Sequence, residues 1–294
     1  MKSFKQIGWA LLLVPSLFAF KGQHKPVIEK ALLWEISGKD LTQPSYVFGT
    51  IHMIGKKDYF FSPTAKEKFK SCTVLATEID MNMSMQQKID VAMKTLLPNN
   101  RTVNQYMDST EFRRLEDYML NEAGIKEKKI EKYLRLKPFF LSSIILSEEL
   151  GDVKSYEEEF VKMAKKNQIE SMGLESIEYQ FGVLESISIP DQVTLLMEGI
   201  GDTTGINQFD EMVALYKDQD LAGLYMYTVS ESDDIPDFKA KFIDQRNANW
   251  IPVIEKAIHQ KPTFIAVGAG HLPGEYGVLA LLKKQGYTVT PVID

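Results

Sequence analysis

Two short stretches of this chain carry the same pattern about 220 residues apart. The first is Ser45-Tyr46-Val47-Phe48-Gly49-Thr50-Ile51-His52; the second is Thr263-Phe264-Ile265-Ala266-Val267-Gly268-Ala269-Gly270-His271. Each is a run of β-branched and aromatic residues closed by Gly-x-x-His and followed by a segment of helical character. That order constrains the fold strongly. A side chain just past the end of a parallel strand points into the crevice where α/β proteins bind and react. Two histidines so placed can share one site.

The flanking residues extend the pattern. Leu32 to Ile36 alternates, Ser37-Gly38-Lys39-Asp40 is a turn cluster, and Tyr46-Val47-Phe48 resumes, so residues 31–48 predict a β-hairpin. After His52, Ser62 as N-cap and Pro63 at the first helical position start a helix to about Phe69, and Thr73 to Ile79 is the next strand. The C-terminal end repeats this order: a strand at Thr263–Val267, a turn at Gly268–His271, a helix at Pro273–Gln285 stopped by Gly286, and a strand at Tyr287–Val292. Two βαβ-like halves imply an internal duplication.

Between about Met81 and Ile258 the periodicity is helical, as in Ser84–Leu97, Ser109–Ala123, Lys137–Leu150, Ser155–Asn167, Gln192–Gly199 and Phe209–Lys217. A short strand ending at Glu175 interrupts it. The expected fold is therefore α/β (α+β): a duplicated strand–GxxH–helix–strand core with a mixed sheet. It forms one domain over residues 28–294, with a large helical insertion at about 81–258. Met81, Met83, Met85 and Met93 read as adaptable packing in preference to a groove lining.

Lys2 and Lys5 followed by the apolar run Ile7–Phe20 predict a secretory signal peptide over residues 1–22, the alternative being an uncleaved N-terminal anchor. Export to the periplasm or the extracellular space follows, with membrane contact only if that segment is retained. A net charge of −6 without a basic stripe argues against nucleic acid as a partner. Cys72 is the only cysteine, so no intramolecular disulfide forms; it reads as a small buried hydrophobe.

His52 and His271 lead the candidates for chemistry. Gly at the first position of each Gly-x-x-His permits a tight turn and close backbone approach. Glu78 ends the mostly apolar strand Val74-Leu75-Ala76-Thr77-Glu78-Ile79-Asp80, where a carboxylate is costly unless it is paired, metal-bound or facing a cleft. Two histidines and a carboxylate make a minimal divalent-metal site with positions left for water and substrate. Asp80 lies further out. Glu175 is either a second carboxylate on the same rim or the N-terminal charge of the next helix. Arg246, in Asp244-Gln245-Arg246-Asn247, either orients a carboxylate, holds an oxyanion or is a solvated helix residue. His24 and His259 read as solvent-facing. No His-Glu-x-x-His, Gly-x-Ser-x-Gly, Walker or dinucleotide glycine loop is present in the sequence.

Phe48-Gly49-Thr50-Ile51-His52, Thr77-Glu78-Ile79-Asp80, Gly173-Leu174-Glu175-Ser176 with Gln180, Arg246-Asn247 and Val267-Gly268-Ala269-Gly270-His271-Leu272-Pro273-Gly274-Glu275-Tyr276-Gly277-Val278 together resemble the ordered motifs of the TraB/GumN family. That family includes the Tiki metalloproteases. The resemblance covers about residues 30–294. It implies a fold like the erythromycin-esterase and haem-binding ChaN group and a peptidase dependent on a divalent metal, Mn²⁺ or Co²⁺, with Zn²⁺ as an alternative. It implies His52, His271 and Glu78 as metal-binding and catalytic positions, with Glu175 and Arg246 supporting, and a peptide or protein as substrate. Two rival functions share the cleft: a non-catalytic peptide- or haem-binding protein, and a non-peptide esterase-type hydrolase. Oligomeric state has no signature in the sequence.

Overall fold

The N-terminal alternation closes into the hairpin: β1 (Leu33–Ser37) and β2 (Ser45–Thr50) pair antiparallel, with Trp34 opposite Val47. This computed structural model describes residues 28–200, 204–230 and 237–293. The signal-or-anchor segment and His24 lie outside them. After His52 comes the short strand β3 (Met53–Gly55). The Ser62 hydroxyl then accepts the Ala65 N–H at 3.0 Å to cap the helix Pro63–Ser71, which leads into β4 (Val74–Thr77). The remaining strands are β5 (Val153–Ser155), β6 (Glu170–Gly173), β7 (Thr263–Gly268) and β8 (Thr288–Pro291).

Six of these strands form one mixed sheet in the order β6-β4-β7-β2-β1-β8, and β3 and β5 form a separate ribbon. Neighbours among β6, β4, β7 and β2 are parallel, whereas β1 is antiparallel to both β2 and β8. The two strands that precede Gly-x-x-His, β2 and β7, are thus adjacent and parallel, with Thr50 level with Gly268. Neither half closes as a simple βαβ unit. The chain from β2 to β4 passes over β7, and the chain from β7 to β8 passes over β2 and β1.

Every residue of β2 and β7 is buried, so both faces of the sheet centre are covered. Phe48 and Phe264 stack across the neighbouring strands with ring centres 6.0 Å apart. Phe69 and Phe160, from the helices Pro63–Ser71 and Tyr156–Asn167, close on Phe264 at 5.1 and 5.6 Å. The aromatic edge-to-face contacts fix how those helices lie on the sheet.

The helix expected over Pro273–Gln285 is shorter, Val278–Lys284. Gly274 has φ +89° and Gly277 is extended, donating its N–H to the Gly274 carbonyl, so residues 273–277 are a turn. Of the four methionines expected to pack, Met81 and Met83 are half-buried and the other two are not. Met85 and Met93 are 74% and 63% exposed on the helix Met85–Lys94. Cys72 is buried, and burial pushes its thiol up to about 12, where it is inert.

The chain divides into two compact units. One contains the sheet and comprises, among the described residues, 28–82, 154–180, 212–230 and 237–293. The other, described over 83–153, 181–200 and 204–211, is mainly helical. Its central helix, Pro138–Leu150, buries Phe139, Phe140, Leu141, Ile144, Ile145 and Leu146. An all-round apolar helix of this kind must be enclosed, and it packs on Ile189–Gly199. Among the described residues, no helix is long and apolar enough to cross a membrane.

Candidate functional site

The four adjacent parallel strands release their chains on one rim. Glu78 follows β4 directly, His52 lies two residues past β2, Glu175 two past β6 and His271 three past β7. Arg246 reaches the same point from the first turn of the helix Gln245–Gln260. All five candidate residues therefore meet in one cluster within the sheet-containing unit, while Asp80 turns away to accept from Ser171 and the Asn82 N–H. His259 is exposed and pairs through Nε2 with the Tyr287 hydroxyl at 2.9 Å.

Glu78 is the hub. Its Oε2 accepts from Arg246 Nη2 at 2.6 Å and from Gln180 Nε2 at 3.1 Å, and its Oε1 accepts the Gly268 N–H at 2.9 Å. The same Oε1 lies 3.8 Å from His52 Nε2 and 4.0 Å from His271 Nε2. Hydrogen bonds at the far side of each ring settle the tautomers. His52 Nδ1 is 2.8 Å from Glu157 Oε1, an acceptor, so Nδ1 carries the proton. Glu157 is itself held by Thr50 Oγ1 at 3.0 Å and Ser155 Oγ at 2.9 Å. His271 Nδ1 is 2.7 Å from Asn247 Oδ1, and Asn247 Nδ2 donates to the carbonyls of His271 and Tyr276 at 3.1 and 2.9 Å. That orients the amide oxygen toward the ring, so His271 also donates from Nδ1. In their neutral forms both imidazoles turn a lone pair at Nε2 toward Glu78.

Arg246 is 1% exposed, and its nitrogens are engaged. Nε and Nη2 reach Glu175, with Nη2 to Oε1 at 2.7 Å, and Nη1 donates to the Phe242 carbonyl at 3.2 Å. The guanidinium thus orients two carboxylates. Nη1 also lies 3.3 Å from His271 Nε2. Trp250 donates from Nε1 to Glu175 Oε2 at 2.9 Å, and its ring packs on His271 at 4.6 Å between centres. Glu175 is thus a rim carboxylate, while the Ser176 hydroxyl accepts the Tyr179 N–H in the first turn of the following helix.

These contacts set the charges. Burial opposes ionisation of Glu78, but Arg246, the two histidines and the Gly268 N–H overcome it and hold the carboxyl at about 2. Burial also raises Glu175, against the pull of Arg246. For His52, burial is outweighed by Glu157, and the pKa rises. For His271, burial and then Arg246 depress it to about 3.

A pH dependence follows for chelator-treated protein. Between the ordinary histidine value of 6.5 and about 3, the unfolded chain binds a proton at His271 that the folded chain refuses. This contribution therefore makes stability fall as pH drops through that window. Nitrogen-15 spectra should show His271 neutral at about pH 5, with its proton on Nδ1, and His52 titrating at higher pH than His271. Protonation of His271 above about pH 6 would contradict this assignment.

Glu157 and Trp250 carry no sequence signal for the site, and the sequence marks Gln180 and Asn247 as motif positions without giving their bonds. Glu157 opens a helix as one of three consecutive glutamates, which reads as dipole stabilisation, and nothing local links it to a histidine 105 positions away.

Among the described residues, no group of three or more His, Cys, Asp or Glu side chains is already closed around a metal position. The donor chemistry nevertheless fits a divalent cation. Two imidazole Nε2 atoms and an ionised carboxylate oxygen converge, each ring is oriented by a hydrogen bond at its other nitrogen, and His271 Nε2, which accepts from Arg246 Nη1 at 3.3 Å, would have to exchange that contact for a metal.

Fold and site together define an α/β protein with a two-histidine, one-glutamate centre on the carboxyl rim of its parallel strands. Residues 32–291 match the TraB/PrgY/gumN family, and the chain belongs to it. A curated relative, "Metalloprotease TIKI2" of Danio rerio, is 22% identical over 332 aligned residues. The alignment covers 90% of this chain, which spans 62% of that relative's length. No solved structure matches the chain.

Proposed function

We propose that this protein is an exported, divalent-metal-dependent peptidase acting on peptide or protein substrates. The observation that carries the proposal is the convergence of His52 Nε2 and His271 Nε2 on Glu78 Oε1 at the strand ends. Family membership and the metalloprotease relative support the reaction class. His52, His271 and Glu78 would hold the metal, Mn²⁺ or Co²⁺ by resemblance, with Zn²⁺ as the alternative. A divalent ion there supplies Lewis-acid polarisation of the scissile carbonyl and a bound water of lowered pKa.

The chain's own residues do the rest. Glu78, held at about 2 by Arg246, stays anionic at neutral pH and suits ligation better than proton transfer. Glu157 and Asn247 fix the Nδ1–H tautomers and keep both Nε2 lone pairs on the reactive side. Arg246 and Trp250 hold Glu175 against the centre. Export is supported by Lys2 and Lys5 ahead of the apolar Ile7–Phe20.

The test is incubation with unstructured peptides and Mn²⁺ or Co²⁺, followed by detection of new amino termini. His52→Ala and His271→Ala should each lower cleavage by about 10²–10⁴-fold with the far-ultraviolet spectrum unchanged. Undiminished cleavage in either variant would remove the proposal.

A further inference from the structure

A second site stands in the helical unit and is independent of the peptidase reading. Leu96 and Leu136 form an isolated antiparallel bridge. On either side of it, Leu97 donates its N–H to the Arg135 carbonyl at 2.8 Å, and Lys137 donates to the Thr95 carbonyl at 2.9 Å. Side chains alternate across such a segment, and Leu136 is 2% exposed, so Arg135 and Lys137 share the opposite face. With Lys94 they line an open cavity of about 610 Å³, walled by apolar residues that include Leu96, Leu97 and Ile187. That volume suits a ligand the size of a small peptide segment.

The charges of this cavity are not balanced. Lys137 pairs with Glu185 at 2.6 Å. Arg135, by contrast, donates from Nη2 to the neutral Asn100 Oδ1 at 2.9 Å, and Lys94 lies over the Phe181 ring at 5.7 Å. Among the described residues neither has a carboxylate partner, although the chain's net charge is −6. Gln192, in the wall, is 3% exposed. Its Nε2 donates to the Ile187 carbonyl at 2.9 Å, and its enclosed Oε1 has no donor among the described residues. The cavity therefore offers two cations for an anion and an apolar wall.

We propose that this cavity binds the carboxyl-terminal residue of a peptide with apolar side chains. The terminal carboxylate meets Arg135 and Lys94, and the side chain lies on the leucine wall. The exposed face of the helix Met85–Lys94 extends the surface for upstream residues. Met85, Ile89 and Met93 are 74%, 46% and 63% exposed at i, i+4 and i+8, and Met93 also lines the cavity. That stripe is about 12 Å long, and methionine conforms to varied partners.

The probe is a fluorescein-labelled hexapeptide ending Ala-Leu-Leu with a free carboxyl group. Its anisotropy is read on the full chain in EDTA, so that no turnover is required. Saturable binding is expected, weakened at least about tenfold when the probe carries a terminal amide. The same loss is expected in the Lys94→Glu, Arg135→Glu double variant. Arg135→Gln serves as the milder substitution if the double variant is misfolded by circular dichroism. Equal affinity for acid and amide, or no saturation by about 1 mM peptide, overturns the proposal. So does binding to phosphatidylglycerol vesicles that the charge reversals abolish while the peptide remains unbound, which assigns the surface to a membrane instead. Failure here leaves the cleavage assay untouched.

Discussion

Arg246→Leu should lower the unfolding free energy at neutral pH by roughly 3–5 kcal/mol. The guanidinium is 1% exposed and bridges two carboxylates whose side chains are 6% and 5% exposed. Removing it leaves Glu78 and Glu175 buried without their cation. Each must then take up a proton, draw in water or unfold the site. The sign of the pH dependence follows. Burial raises both carboxyls once Arg246 is gone, so the folded variant binds protons more readily than its unfolded chain, and the deficit shrinks as pH falls toward about 5. Urea denaturation at two pH values measures this. Arg246→Lys should be intermediate, because an ammonium cannot fork to two carboxylates. Combining Arg246→Met with Glu78→Gln and Glu175→Gln should restore most of the stability while removing the site, since the three groups couple as one. A single Arg246→Leu protein as stable as the parent at neutral pH would show that the cluster is solvated.

Gly268→Ala should abolish most activity while leaving the fold intact. The backbone at Gly268 has φ −52° and ψ 135°, a region open to every L-residue, so this glycine is not required by its conformation. Space requires it. A β-carbon there would stand 3.0 Å from His52 Nε2, 3.4 Å from Glu78 Oε1 and 3.5 Å from His271 Cδ2, between the groups assigned to the reactive centre. The crowding should cost about 1–3 kcal/mol of stability. Displacing the donors should reduce cleavage by about 10²-fold or more. Mn²⁺ titration by calorimetry should report weakened binding in the same variant. Parental rate and affinity would mean that chemistry does not occur where the three side chains converge. Gly49, the equivalent position in the first Gly-x-x-His, serves differently. Its β-carbon would press on Ala269 and Leu272 at 3.1 Å, so there the glycine allows the two turns to approach.

The positions most legible in the sequence were those with local signals. Ser62-Pro63 marked a helix start because a cap hydroxyl and a fixed φ act within one turn, and the hairpin was readable from alternation around a turn cluster. The turn at residues 273–277 was not. Apolar spacing suggested helix through it, and the positive φ of Gly274 together with the Asn247 bond to the Tyr276 carbonyl decided otherwise. The exposure of Met85 and Met93 is not legible either, because composition reports apolarity but not whether a partner covers it.

By itself the sequence determined that two Gly-x-x-His turns and a strand-end glutamate exist, because strand periodicity and glycine placement are written in neighbouring residues. Only the tertiary structure decided that β2 and β7 lie side by side, that Arg246 joins Glu78 to Glu175, and that Glu157 and Asn247 set the two imidazole tautomers. Those relations depend on strand order and on hydrogen bonds between residues up to 168 positions apart, and no local pattern encodes such pairings.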